Sequence, residues 1–266
     1  MVCKSFYRFR SIVLITSAYI AGMHALLVSV GRLLYFVFST LWHTVEFALS
    51  TTKGKPKREA GIILRRNWLN HVPSRLGIEL EMKGTPYRNT CLYVANHIGY
   101  IDPFAILMHV DAQVVAKAEI LRWPFVGFAS HLVGTIFVDR DVKDSRTLAA
   151  GTIRKSLEEG ISVLVFPEGT TTDGNEILHF RPRSFQAAQQ AGVPVQPVAL
   201  WYEGEQVAFI GNHKFLPHFI RLFKLKKIKG TVVFGPLITG DNSHEKSKEW
   251  IETVLTSRQR NLSHHE

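Results

Sequence analysis

The sequence predicts an α/β protein: a mixed central sheet flanked by helices, preceded by an N-terminal helical hairpin that associates with a membrane. Three observations lead there. A chain of 266 residues with 46% hydrophobic content can bury one sizeable core and carry an appendage. Its longest apolar stretches lie at the N-terminus. Beyond them, short apolar runs alternate with helix-like segments, the pattern of strands layered against helices.

From Ser11 to Gly31 no residue carries a full charge, and after Arg32 the apolar character resumes as far as Ser50, interrupted by His43 and Glu46. At about 1.5 Å per residue the first stretch approaches a bilayer span, while the second is shorter. Together they predict a hairpin that spans, or lies partly within, one leaflet. Lys4, Arg8 and Arg10 do not make a cleaved secretory signal, because no clear small-x-small site follows and a second apolar segment does. With Arg32, Lys53, Lys55, Lys57 and Arg58 they favour a cytoplasmic main domain. The expected organisation is a membrane-associating segment at 1–50, a linker and lead-in at 51–76, the main domain at 77–240, and a C-terminal helix and tail at 241–266.

Within the main domain, residues 91–95 form a short strand-like run. Asp102, followed by Pro103 and an apolar run, reads as an N-cap with proline at the first helical position. Residues 113–116 and 135–138 read as further strands, 146–158 as a helix, and 162–166 as a strand. Then come a helix at 184–191 ended by Gly192, strands at 195–200 and 231–234, and a polar helix around 245–258. Cys3 and Cys91 give no disulfide framework, and the histidines show no metal-binding spacing.

A formal charge of +10 implies an anionic partner, and the apolar segments favour lipid headgroups over nucleic acid. The basic run Arg221, Lys224, Lys226, Lys227 and Lys229, interleaved with apolar residues, either rests on a membrane or forms a solvated edge.

Chemistry concentrates in NHIGYID, 96–102, where a strand gives way to a helix. A carboxylate at Asp102 that accepts a hydrogen bond from one nitrogen of His97 would fix the imidazole tautomer. The other nitrogen is then left to take a proton from a substrate hydroxyl. The alternative is a helix cap beside a solvated loop histidine. In the segment Phe166, Pro167, Glu168, Gly169, Thr170, the glycine allows close approach to a ligand, Glu168 suits substrate hydroxyls, and 170–172 offer N–H and hydroxyl donors. Arg140, closing GTIFVDR, is a candidate phosphate clamp. A lipid hydrolase would lack its GxSxG elbow, and a nucleic-acid binder or scaffold would leave His97 and Asp102 without roles.

These residues resemble four blocks of the glycerolipid acyltransferase family, which includes the bacterial 1-acyl-glycerol-3-phosphate acyltransferases. Asn96, His97 and Asp102 match its NHxxxxD signature, 134–140 its second block, 166–170 its FPEGT block, and Val193-Pro194-Val195 through Val198 its fourth. The resemblance covers roughly 77–237. It implies that His97 acts as base on a free hydroxyl with Asp102 orienting it. The donor is an acyl thioester on acyl carrier protein or coenzyme A, and neither metal nor cofactor takes part. The implied acceptor is a lysolipid held by Arg140, Glu168, Gly169 and Thr170, the partners are membrane lipids and not nucleic acid, and the location is the inner (cytoplasmic) membrane. The leading expectation is 1-acyl-sn-glycerol-3-phosphate O-acyltransferase activity forming phosphatidate, with acylation of lyso-ornithine lipid or a lysophospholipid as the alternative. One departure bears on that choice: many phosphatidate-forming members have arginine where this chain has Thr171, and Arg181 is a candidate replacement cation.

Overall fold

The computed structural model describes residues 2–53, 57–123, 126–139 and 141–263. Two N-terminal helices, α1 (Val2–Thr52) and α2 (Lys57–Arg75), lead into an alternating domain. Its elements are β1 (Ile78–Lys83), β2 (Leu92–Ala95), α3 (Asp102–Leu107), β3 (Gln113–Lys117), α4 (Val126–Leu132), β4 (Ile136–Val138), α5 (Lys143–Glu158) and β5 (Val163–Val165). After these come α6 (Arg183–Gln190), β6 (Val195–Tyr202), α7 (Phe215–Leu222), β7 (Ile228–Phe234) and α8 (Ser243–Ser263). The sheet order is β1-β7-β6-β2-β5-β3-β4, and every neighbouring pair is parallel except β6 with β7.

Side-chain alternation divides the core between the two faces of the sheet. On β2, Tyr93 and Ala95 pack with α2, α3 and α7, while Leu92 and Val94 pack with α5, α6 and α8. β2 is buried on both faces, as a central parallel strand must be. The strand and helix segments expected at 113–116, 146–158, 184–191 and 195–200 all form within a few residues of those bounds.

The hairpin does not form as expected. The two apolar stretches make one continuous helix, and the reversal comes after Thr52, where α2 returns along α1. Arg32, a good helix former, does not interrupt the helix, and its charge is taken up by the domain. Its guanidinium donates to the carbonyls of Phe223, Leu225 and Lys226 at the end of α7, while the Ser29 hydroxyl donates to Ile220 O at 2.8 Å. Further along, Trp68 Nε1 of α2 donates to Thr40 Oγ1 at 3.2 Å. The opposite face of α1 leaves Leu27, Leu34, Phe38, Trp42, Val45 and Leu49 exposed, and Gly22–Thr52 is long and apolar enough to cross a membrane. In the basic run, Lys227 pairs with Glu79 at 2.7 Å and Lys229 with Glu203 at 3.8 Å, so this part forms an ion-paired edge at the start of β7.

Candidate active site

The site is assembled where β2 ends. One residue past that end, the carboxamide of Asn96 continues the ladder toward β6 as a peptide group would. Its Nδ2 donates to Leu200 O and its Oδ1 accepts from Leu200 N–H, each at 2.9 Å in a fully buried setting. This clamp fixes the origin of the loop carrying His97.

His97 Nδ1 lies 2.8 Å from Asp102 Oδ2, and its ring stacks on Phe166 with centroids 4.2 Å apart. Asp102 is the first residue of α3 rather than its cap. Instead of capping the helix ahead of it, the carboxylate turns back on the preceding loop, where Oδ2 accepts from Ile98 N–H at 2.6 Å and Gly99 N–H at 2.8 Å. Oδ1 accepts from the Tyr202 hydroxyl at 2.8 Å. The carboxylate is wholly buried, whereas the histidine side chain keeps 15% exposure. Because Asp102 occupies Nδ1 as an acceptor, the Nδ1–H tautomer follows and Nε2 is the atom left for substrate.

Glu168 supports the same loop. The sequence assigns it to substrate hydroxyls, but Oε1 accepts from His97 N–H at 2.9 Å and Oε2 from Leu178 N–H at 3.0 Å. Both oxygens are thus committed to backbone, and burial, outweighing these two bonds, pushes the carboxyl up to about 7. Gly169 follows at φ +76°, where a Cβ would stand 2.8 Å from the Arg181 guanidinium carbon. Thr172 N–H donates to His97 O at 2.8 Å, Phe209 N–H to Ile98 O at 2.9 Å, and the Thr171 hydroxyl to Phe209 O. Three loops are thereby stitched around one imidazole.

His97, Phe166, Gly169, Thr170, Thr171 and Arg181 border a cavity of about 900 Å³. It extends over an apolar wall that includes Phe36 of α1, Trp68 of α2, Phe104 of α3 and Phe219 of α7. Of the expected site residues, the structure thus brings His97, Asp102, Glu168, Gly169, Thr170, Thr171 and Arg181 together. Arg140 lies outside the described residues. Sequence reasoning missed Tyr202, since a tyrosine ending an apolar strand reads as core.

In this α/β protein an imidazole held by a buried carboxylate borders an apolar cavity, an arrangement able to accept a proton at Nε2. Residues 78–201, a little under half of the chain, match the family model described as Acyltransferase, which supports the resemblance of the motifs to the glycerolipid acyltransferases. Its relatives include the lyso-ornithine lipid O-acyltransferase of Pseudomonas aeruginosa, 36% identical over 166 residues that cover 60% of this chain and 64% of that protein. The enzyme of the same name from Rhodobacter capsulatus is 32% identical, covering 60% and 62%. A 1-acyl-sn-glycerol-3-phosphate acyltransferase from Neisseria gonorrhoeae is 32% identical, covering 49% and 51%. The chain therefore spans less than two thirds of the length of these relatives. The crystal structure of the 1-acyl-sn-glycerophosphate acyltransferase PlsC from Thermotoga maritima shares the fold, with a TM-score of 0.69 at 20% identity over 91% of this chain and 98% of that one.

Proposed function

We propose that this protein is a membrane-associated O-acyltransferase that moves a fatty acyl group from a thioester to the free hydroxyl of a lysolipid, with lyso-ornithine lipid as the leading acceptor. The observation that carries the reaction is the Asp102–His97 pair, with Nε2 left to face substrate beside an apolar cavity.

The acceptor hydroxyl gives its proton to His97 Nε2 as its oxygen attacks the thioester carbonyl. Asp102 holds Nδ1–H and stabilises the imidazolium that forms. Collapse of the tetrahedral intermediate forms the ester, breaks the carbon–sulfur bond, and returns the proton from Nε2 to the departing thiolate of acyl carrier protein or coenzyme A. No group on the protein is acylated. The apolar cavity suits acyl chain, and Gly169, Thr170 and Arg181 are the headgroup contacts in reach of it, with Arg140 retaining its sequence-based assignment there. Glu168 orients the loop and does not contact substrate.

The acceptor assignment moves away from lysophosphatidate for two reasons. Relatives 36% identical over 166 residues, 32% over 172 and 29% over 214 carry the lyso-ornithine name, against 32% over 130 and 29% over 181 for relatives named 1-acyl-sn-glycerol-3-phosphate acyltransferase. In addition, the position after FPEGT is a threonine whose hydroxyl is spent on Phe209 O, which suits a headgroup without phosphate. Lysophosphatidate remains the second reading, favoured by Arg181 beside Gly169. The apolar stripe on α1 and the flanking basic residues support the cytoplasmic membrane, with the catalytic domain on the cytoplasmic side.

The test is acyl transfer by the detergent-solubilised protein from labelled acyl-acyl carrier protein or acyl-coenzyme A to lyso-ornithine lipid, lysophosphatidate and a lysophospholipid, with H97A alongside. His97-dependent preference for lyso-ornithine lipid is expected. Preference for lysophosphatidate would overturn the acceptor, and wild-type turnover by H97A would overturn the mechanism.

A further inference from the structure

Asp102 meets its four donors unevenly. Oδ2 is crowded by His97 Nδ1–H, Ile98 N–H and Gly99 N–H, whereas Oδ1 has only the Tyr202 hydroxyl, at 2.8 Å, among the described residues. A carboxylate tethered through one oxygen can still turn about its own axis, and that turn would swing the lone pair that aims the imidazole. A donor on the second oxygen fixes the plane. Tyr202 is suited to this because it is buried at the end of β6, two residues beyond the Leu200 peptide group that Asn96 clamps to β2. The loop origin and the phenol are therefore set by the same strand pair. Burial, reinforced by the adjacent Asp102 carboxylate, holds the phenol well above its ordinary value, so it remains a donor across the working range of the enzyme.

We propose that Tyr202 is a positioning residue of the acyl transfer reaction: through Asp102 Oδ1 it locks the carboxylate plane, and so keeps His97 Nε2 in line with the acceptor hydroxyl. This rests on the reading of His97 as the general base.

The experiment compares full-length wild type, Y202F, D102N, the Y202F/D102N double variant and H97A in detergent. Y202F keeps the ring and its packing but leaves Asp102 Oδ1 without its donor, so it should stay folded and melt several degrees below wild type. Its turnover should fall on the order of 10- to 100-fold, with KM for donor and acceptor unchanged, as for a lost hydrogen bond to a buried charge. In the D102N background the same substitution should change turnover by less than about 3-fold, because a neutral amide no longer holds the imidazolium by charge and its orientation counts for less. The downfield proton resonance of His97 Nδ1–H should be displaced in Y202F.

Unchanged turnover in Y202F, or an equal loss in both backgrounds, would overturn the inference, because a purely structural role acts independently of Asp102. Should Y202F fail to fold, a ring-fluorinated tyrosine at position 202 keeps the hydroxyl and should retain wild-type turnover; loss there too would also overturn the inference. H97A separates the two levels of the argument. An inactive H97A with an unaffected Y202F removes this inference alone, whereas an H97A as active as wild type removes the general-base reading and this inference with it.

Discussion

Replacing Asp102 by asparagine tests the charge at the centre of the site while leaving most of its geometry in place. The amide oxygen can occupy the Oδ2 position and still accept from His97 Nδ1–H, Ile98 N–H and Gly99 N–H, and the NH₂ group then meets the Tyr202 oxygen, which can accept. Folding should therefore survive, with a stability loss under about 1.5 kcal/mol. What disappears is the negative charge opposite the imidazolium that forms as the hydroxyl is deprotonated. At the 2.8 Å contact and an effective dielectric of about 20, a full charge pair is worth at most about 6 kcal/mol. Allowing for partial charge in the transition state, about 3 to 5 kcal/mol remains, so turnover should fall about 100- to 5,000-fold. Asp102→Ala is the contrast: it strips partners from three backbone or imidazole N–H groups and from a buried phenol, and should cost on the order of 3 to 5 kcal/mol of stability. Steady-state acyl transfer and thermal melting of both variants make the check. D102N turning over within about 3-fold of wild type would refute the role of the charge. D102N melting as early as D102A would refute the account of the hydrogen-bond hub.

Asn96→Ala leaves both the N–H and the C=O of Leu200 buried without their partner, so chemical denaturation should show a loss of about 2 to 5 kcal/mol; less than about 1 kcal/mol would mean the strand clamp matters little. Glu168, pushed from 4.5 to about 7, holds a proton in the folded state that the unfolded chain has released. Its contribution is thus fully present below about pH 4.5 and lost as pH rises through about 7. Glu168→Gln removes that titration and one of the two backbone bonds, so melting temperatures should separate most at low pH and converge toward about pH 8, and parallel profiles would count against it. Gly169→Ala puts a Cβ at positive φ against the Arg181 guanidinium, and should cost about 1 to 2 kcal/mol, read by melting. Arg181→Ala should raise the acceptor KM more than the donor KM, by roughly 3- to 10-fold given the exposure of the side chain; equal effects would remove Arg181 from the headgroup site.

The parts of this fold that were legible in the sequence are those whose determinants are local. The nearly continuous apolar runs at 92–95 and 195–202 and the amphipathic run of α5 are local patterns, so strand and helix follow from neighbours alone. The His97–Asp102 pair was legible for the same reason: five positions across a strand-to-helix turn bring imidazole and carboxylate within reach whatever lies around them. What escaped was decided across the sheet. Nothing beside Arg32 in sequence announces that the carbonyls at 223, 225 and 226 will receive its guanidinium, and as a good helix former it lets the helix run on where a turn was expected. Glu168 looked free to meet substrate because its two N–H donors come from another loop, at 97, and from ten residues further along its own, at 178. Tyr202 stands 100 residues from the aspartate it touches, at the end of a strand of mostly apolar core residues, and only the β2–β6 register joins them. Substrate-facing chemistry in this site sits in short motifs, while the groups that hold those motifs rigid are supplied by distant strands. A search confined to motifs therefore finds the base and misses its supports.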